Sequence, residues 1–208
     1  LTRRPTTHST FEKESKTHMK LMEDRISQDA IIEDGEILKV GSFLNQQIDV
    51  PFISRCAEEF HRLFGEEGIT RILTIEASGI GLACLCAVPF GVPVVFAKKS
   101  RSSNIAGEVY TSQVFSFTHG TEHRIMIPRQ FLTSADRVLL IDDFLASGEA
   151  LRGLDDLCRQ AGACVVGAGV FVEKVYQGGG NRLREAGMRI ESLARITAMS
   201  PEAGVTFG

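Results

Sequence analysis

Apolar residues along the chain fall into short blocks whose spacing switches between about two and about 3.6 residues, which predicts strands and helices in turn. Val138, Leu139, Leu140 and Ile141 form an unbroken apolar run with two β-branched members, suiting a strand covered on both faces of a parallel sheet. Arg71 to Ile75, Val92 to Phe96 and Val165 to Val172 read the same way. Between them lie helical patterns. Glu149 to Ala161 puts Leu151, Leu154, Leu157 and Cys158 on one face. Pro51 to Phe64 does the same with Phe52, Ile53, Cys56, Phe60, Leu63 and Phe64, with Gly68 beyond its end. Met19 to Glu33 reads as a further helix, IGLACLCAV falls where another is due, and Val109 to Ile127 reads as an antiparallel hairpin. The order predicts one α/β domain with a parallel sheet and right-handed crossovers, and no internal repeat is visible.

Polar residues gather where these strands end. Asp142 and Asp143 follow Ile141 directly, at the kind of strand end where open α/β sheets bind ligands. Ala146, Ser147 and Gly148 then make a small-residue turn into a helix, whose first N–H groups and dipole suit an anion. Together they read as a sugar-phosphate site, the acids taking hydroxyls and the turn a phosphate. An acidic loop between a core strand and a helix is the plainer alternative. Arg71 to Ile75 runs into Glu76, Ala77, Ser78 and Gly79, a strand-to-helix turn that has an equally plain explanation. Val92 to Phe96 empties into Lys98, Lys99 and Arg101, charges that would serve a polyanion. Ser100 to Gly107 lacks periodicity and reads either as a mobile loop that could close over a reacting centre or as solvated surface.

Composition narrows the setting. With 23 basic and 26 acidic residues in 208, the net charge of −3 gives no global field to recruit nucleic acid or an anionic membrane. No stretch is long and apolar enough to span a bilayer. Five cysteines, all with apolar neighbours, read as core thiols in a reducing, cytoplasmic compartment and not as a disulfide framework. No cysteine–histidine cluster has zinc spacing; His119 and His123 flank Gly120. Residues 1–18 are polar and aperiodic and are predicted to be disordered, with Met19 as a natural start.

The string Val138 to Ala150 (VLLIDDFLASGEA) resembles the signature of the type I phosphoribosyltransferases: four apolar residues, two acids, two apolar residues, then small-small-Gly-x-small. The resemblance implies a sheet of five strands flanked by helices, with a small hood from about 19–50 and 187–208. It implies that Asp142 and Asp143 take the ribose hydroxyls of phosphoribosyl pyrophosphate (PRPP), and that Ala146, Ser147, Gly148, Glu149 and Ala150 hold its 5′-phosphate. Ala150 stands where many members carry a hydroxyl, so backbone N–H groups must do more of the holding, and the Glu149 carboxylate must point away from the phosphate. Ala77, Ser78 and Gly79 resemble the family's diphosphate loop, with a non-proline cis peptide expected at Ala77–Ser78. Lys99, and more weakly Lys98, would reach PRPP, Lys99 crossing into a partner's site in a homodimer.

ILKVGSFLNQQID, GITRILTIEASGI and GVPVVFAKK narrow the resemblance to the xanthine-using branch of bacterial purine salvage. That branch implies transfer of the phosphoribosyl group to N9 of xanthine, giving xanthosine monophosphate (XMP) and pyrophosphate, with Mg²⁺ carried by PRPP. By position its purine contacts are Leu38, Asn45 and Lys174. A Lys174 ammonium at a strand end can donate to a 6-oxo group, Asn45 can read a 2-oxo edge, and Leu38 can pack on the ring. Phe144, beside the acids, is a further candidate for stacking. The alternatives stay open: Asn45 capping a turn, Leu38 and Phe144 as core, Lys174 paired with Glu173 or Glu191. So do a transferase for hypoxanthine, guanine or adenine, and a PRPP-sensing regulator without turnover.

Overall fold

The structure is a computed structural model that describes residues 20–33, 37–99, 107–116 and 121–208. The predicted disordered extension 1–18, His119, and the predicted loop Ser100 to Gly107 except its last residue lie outside the described residues.

Helix α1 covers residues 20–29. A short antiparallel hairpin follows, β1 (Ile31–Glu33) with β2 (Ile37–Lys39), then a turn of π-helix at Gly41–Asn45. The predicted helix to Glu33 therefore stops early, because the paired isoleucines Ile31 and Ile32 enter a strand ladder that suits their β-branching. Helix α2 (Val50–Phe64) is capped by Asp49, whose carboxylate accepts the Phe52 N–H at 3.1 Å, with Pro51 in its first turn. The chain then alternates: β3 (Arg71–Ile75), α3 (Ser78–Phe90), β4 (Val94–Ala97), the hairpin β5 (Val109–Ser116) and β6 (Thr121–Pro128), β7 (Arg137–Leu145), α4 (Glu149–Ala161), β8 (Cys164–Lys174), α5 (Gly179–Glu185), β9 (Ile190–Ser200) and β10 (Gly204–Phe207). Among the described residues no helix is long and apolar enough to cross a membrane.

The main sheet has the order β10-β9-β8-β7-β3-β4. Five of its strands run parallel, as expected, and β10 adds a sixth, antiparallel edge. Residues 190–196, expected in a hood, pair with β8 within this sheet. Period-2 alternation along β7 feeds two cores. Leu139 and Ile141 face one with Phe60, Phe171 and Leu82 beneath α2 and α3, while Val138 and Leu140 face the other with Leu151, Leu154 and Leu157 of α4. Cys56, Cys86 and Cys158 belong to these cores, and burial pushes the Cys56 and Cys158 thiols up to about 12. Cys84 and Cys164 are exposed, contrary to expectation, because each sits on the solvent side of its element.

The chain leaves β3 toward β4 on one side and leaves β7 toward β8 and β9 on the other. A crevice therefore opens at the carboxyl ends of β3 and β7, the point where strand order reverses.

Candidate functional site

Strand β7 does not stop at Ile141. Asp142 pairs with Val170 and Phe144 with Val172, so both acids lie inside the last turn of the ladder and not in a loop beyond it. Asp142 is only 4% exposed, while Asp143 is half-buried. The Asp143 N–H donates to Asp142 Oδ1 at 3.1 Å and the Phe144 N–H to Asp143 Oδ1 at 3.0 Å. Burial first, and then the charge of Asp143, push the Asp142 carboxyl well above the ordinary carboxylate range. Such a pair gains from ligand hydroxyls that donate to it.

Ala146 and Ser147 follow, and Gly148 turns the chain with φ +83° into the first turn of α4, a conformation that disfavours side chains with a Cβ. Glu149 is drawn away by Arg152, which donates to its Oε2 at 2.6 Å, so the expected repulsion beside an anion is relieved. From the neighbouring strand, Glu76 closes the other wall: its N–H donates to Ala97 O at 3.0 Å and its carboxylate accepts the Lys99 N–H at 2.5 Å. The cis peptide lies at Glu76–Ala77, one bond earlier than expected at Ala77–Ser78.

These pieces surround one cleft of about 290 Å³. Of the residues singled out in the sequence, Asp142, Asp143, Phe144, Ala146, Ser147, Gly148, Glu149, Ala150, Ser78 and Lys99 line it. Ala77 is exposed at the start of α3 and Gly79 is buried in its first turn. Lys98 is not part of the lining. Its ammonium lies 5.9 Å from the Phe96 ring centroid, and its backbone exchanges hydrogen bonds with Met126, tying β6 to the end of β4. Lys174 ends β8, with its ammonium 5.8 Å from the Phe144 ring centroid, and so stands at the rim. Leu38 and Asn45 belong to a second recess of about 450 Å³ between the β1–β2 hairpin and the Gly41–Asn45 turn, Asn45 exposed and Leu38 largely taken into the core.

Sequence reading missed Glu76, although it follows the run Arg71 to Ile75 as Asp142 follows the run Val138 to Ile141. It also missed Val114, Phe115, His123 and Ile125 from the β5–β6 hairpin, and Gln177. Nothing local marks these. The hairpin reaches the cleft through its packing on α4 and the Lys98–Met126 bridge.

A family model, the phosphoribosyl transferase domain, matches residues 41–185. The xanthine phosphoribosyltransferase of Lachnoclostridium phytofermentans is 52% identical over 186 residues, covering 89% of this chain and 96% of the relative. That of Bifidobacterium longum subsp. infantis is 50% identical over 191 residues, covering 91% and 99%. The fold is shared with the adenine phosphoribosyltransferase of Trypanosoma brucei, solved in complex with AMP, pyrophosphate and ribose-5-phosphate. Its TM-score is 0.73 at 19% identity, over 87% of this chain and 82% of that one.

Proposed function

We propose for this chain, which belongs to the phosphoribosyltransferase family, the synthesis of XMP and pyrophosphate from xanthine and PRPP. The observation that carries the reading is the shared cleft of the Asp142–Asp143 pair and the Ala146–Ala150 turn. Identity of 50–52% over almost the whole of two relatives named for xanthine supports the choice of base.

In this reading the ribose hydroxyls donate to Asp142 and Asp143, and the 5′-phosphate accepts from the amides of the turn. The bond from C1′ to the diphosphate oxygen breaks as the bond from N9 to C1′ forms, through an oxocarbenium-like state. The N9 proton is given up to solvent or lost beforehand with the xanthine anion. Carboxylates below the sugar stabilise the positive charge that develops there, and Lys99 offsets charge on the departing diphosphate. Phe144 offers the purine a face and Lys174 donates to its 6-oxo group. Asn45 and Leu38 serve the far edge of the base from the hood recess.

Among the described residues no group of three or more His, Cys, Asp or Glu side chains is arranged to hold a metal ion. The Asp142–Asp143 pair would hold a Mg²⁺ brought in with PRPP, and such an ion would offset the charge of the departing diphosphate. We place the enzyme in the cytoplasm as a homodimer with Lys99 near the subunit boundary, acting on small molecules without nucleic acid or membrane partners.

The test is turnover of the four purines, xanthine, hypoxanthine, guanine and adenine, with PRPP and Mg²⁺, followed by ultraviolet absorbance. Xanthine is expected to exceed each of the others at least ten-fold in kcat/KM. Equal rates for xanthine and hypoxanthine would remove the role given to Asn45, and PRPP binding without pyrophosphate release would make the protein a sensor.

A further inference from the structure

Directly behind the Ala146–Ala150 turn lies the start of α5. The Gly179 N–H donates to Ala146 O at 3.1 Å, and Arg182 Nη2 donates to Ser147 O at 3.0 Å. A Cβ at position 179 would lie 2.2 Å from Ala146 O, 2.3 Å from Ser147 C and 2.5 Å from Gly148 N, so an approach this close requires glycine. In a trans peptide the C=O of one residue and the N–H of the next point in opposite directions. Holding the Ala146 and Ser147 carbonyls toward α5 therefore turns the Ser147 and Gly148 N–H groups toward the opposite side, where the cleft lies.

The helix that does this is itself seated. Glu173, only 1% exposed at the end of β8, accepts from Arg184 at 2.6 and 2.8 Å and from the Ser192 hydroxyl at 2.6 Å. A Cβ at Gly180 would collide with the same carboxylate at 1.9 Å. Thus α5 is pinned to the sheet by Glu173, the neighbour of Lys174, and braces the turn with Gly179 and Arg182.

We infer that α5 is a positioning element for the phosphate-binding turn, with Gly179 and Arg182 fixing the direction of its amides and so the affinity for the 5′-phosphate of PRPP. This rests on the reading of that turn as a phosphate site. The probe is ribose 5-phosphate, which lacks both the diphosphate and the base, titrated calorimetrically into the full chain. Steady-state KM values for PRPP and xanthine are measured alongside. Arg182→Ala is expected to weaken ribose 5-phosphate about ten-fold, or ~1.4 kcal/mol, and to raise KM for PRPP to match. KM for xanthine should stay within about two-fold and the melting temperature within about 3 °C, since one hydrogen bond of an exposed arginine is lost. Arg182→Lys, which can still reach a carbonyl, should recover part of the loss. Gly179→Ala should cost more, about fifty-fold, because the turn must move.

Unchanged binding of ribose 5-phosphate by Arg182→Ala, or equal rises in both KM values, would overturn the inference. Should Arg182→Ala fail to fold, Arg182→Gln makes the same comparison. Failure of the wild type itself to bind ribose 5-phosphate would instead sink the phosphoribosyl reading, and the inference with it.

Discussion

Asp136, directly before β7, and Asp142, in its carboxyl half, stand six residues apart, and both are nearly buried, at 5% and 4% exposure. Their surroundings differ completely. Asp136 accepts from the Thr133 N–H at 2.8 Å, the Thr133 hydroxyl at 3.0 Å, the Thr70 hydroxyl at 3.1 Å and Arg71 Nε at 3.0 Å. Burial alone would raise its pKa, but the Thr133 N–H, Arg71 and the Thr133 hydroxyl outweigh it and hold the carboxyl below the ordinary value. Asp142 has a second carboxylate beside it, and its pKa goes the other way. The amino end of the strand uses its acid to lock β3 to β7. The carboxyl end keeps its acids short of donors, at some cost to stability, so that a ligand can supply them.

The largest effect expected from this contrast is on turnover. Asp142→Asn with Asp143→Asn replaces acceptor-only groups by amides, removing charge-assisted bonds to two hydroxyls and the charge that balances the oxocarbenium. Turnover of xanthine should fall at least ~10³-fold, or roughly 4 kcal/mol, while the far-ultraviolet circular dichroism stays unchanged. A double variant with more than a tenth of wild-type activity would end the assignment of these acids to the ribose.

Asp136→Asn probes the other end and should act on stability instead. The amide cannot accept from all four donors, and Arg71 is left with a poorer partner. A loss of about 3 kcal/mol is expected by analogy with broken buried pairs, read as a drop in the denaturant midpoint with an unchanged slope. KM and kcat measured well below the melting temperature should stay near wild type. If activity fell in step with Asp142→Asn, the division of labour along β7 would be wrong.

Much of this arrangement was legible in the residues. The frame of β3, β7 and α4 followed from apolar spacing, since Val138 to Ile141 and the Leu151, Leu154, Leu157 stripe are buried as read. Asp142 and Asp143 hid the true end of β7, because polar residues in a ladder break the period that defines it, and functional sites are where such breaks fall. Ile31 and Ile32 were misread for a different reason: a short apolar run carries no sign of whether the next partner is a turn of helix or another strand. Asp136 and the Gly178–Gly180 run gave no signal at all. Their importance comes from contacts with Arg71 and with Ala146–Gly148, tens of residues away in sequence. What local spacing encodes was readable, and what tertiary approach creates was not.

The smallest expected effect is also the sharpest test, because its sign changes with position along the strand. Asp142 has its pKa raised by folding, so below the unfolded carboxylate value of about 3.9 it is protonated in both states and costs nothing. As pH climbs from there through the raised folded value, the unfolded chain ionises while the native state resists, and stability is lost. Asp142→Asn cannot ionise and escapes this loss. Its melting temperature should match wild type near pH 3.5 and exceed it by roughly 2–4 °C at pH 7.5, about 1 kcal/mol for a chain of this size. Asp136, with its pKa lowered, contributes stability that is present above the ordinary value and disappears as pH falls through the folded one. The deficit of Asp136→Asn should therefore be full at pH 7.5 and shrink in acid. Groups that touch neither acid cancel in these differences, so the two curves must slope in opposite directions. Parallel slopes would mean that the two ends of β7 treat a buried carboxylate alike, and the cost assigned to the cleft would have no basis.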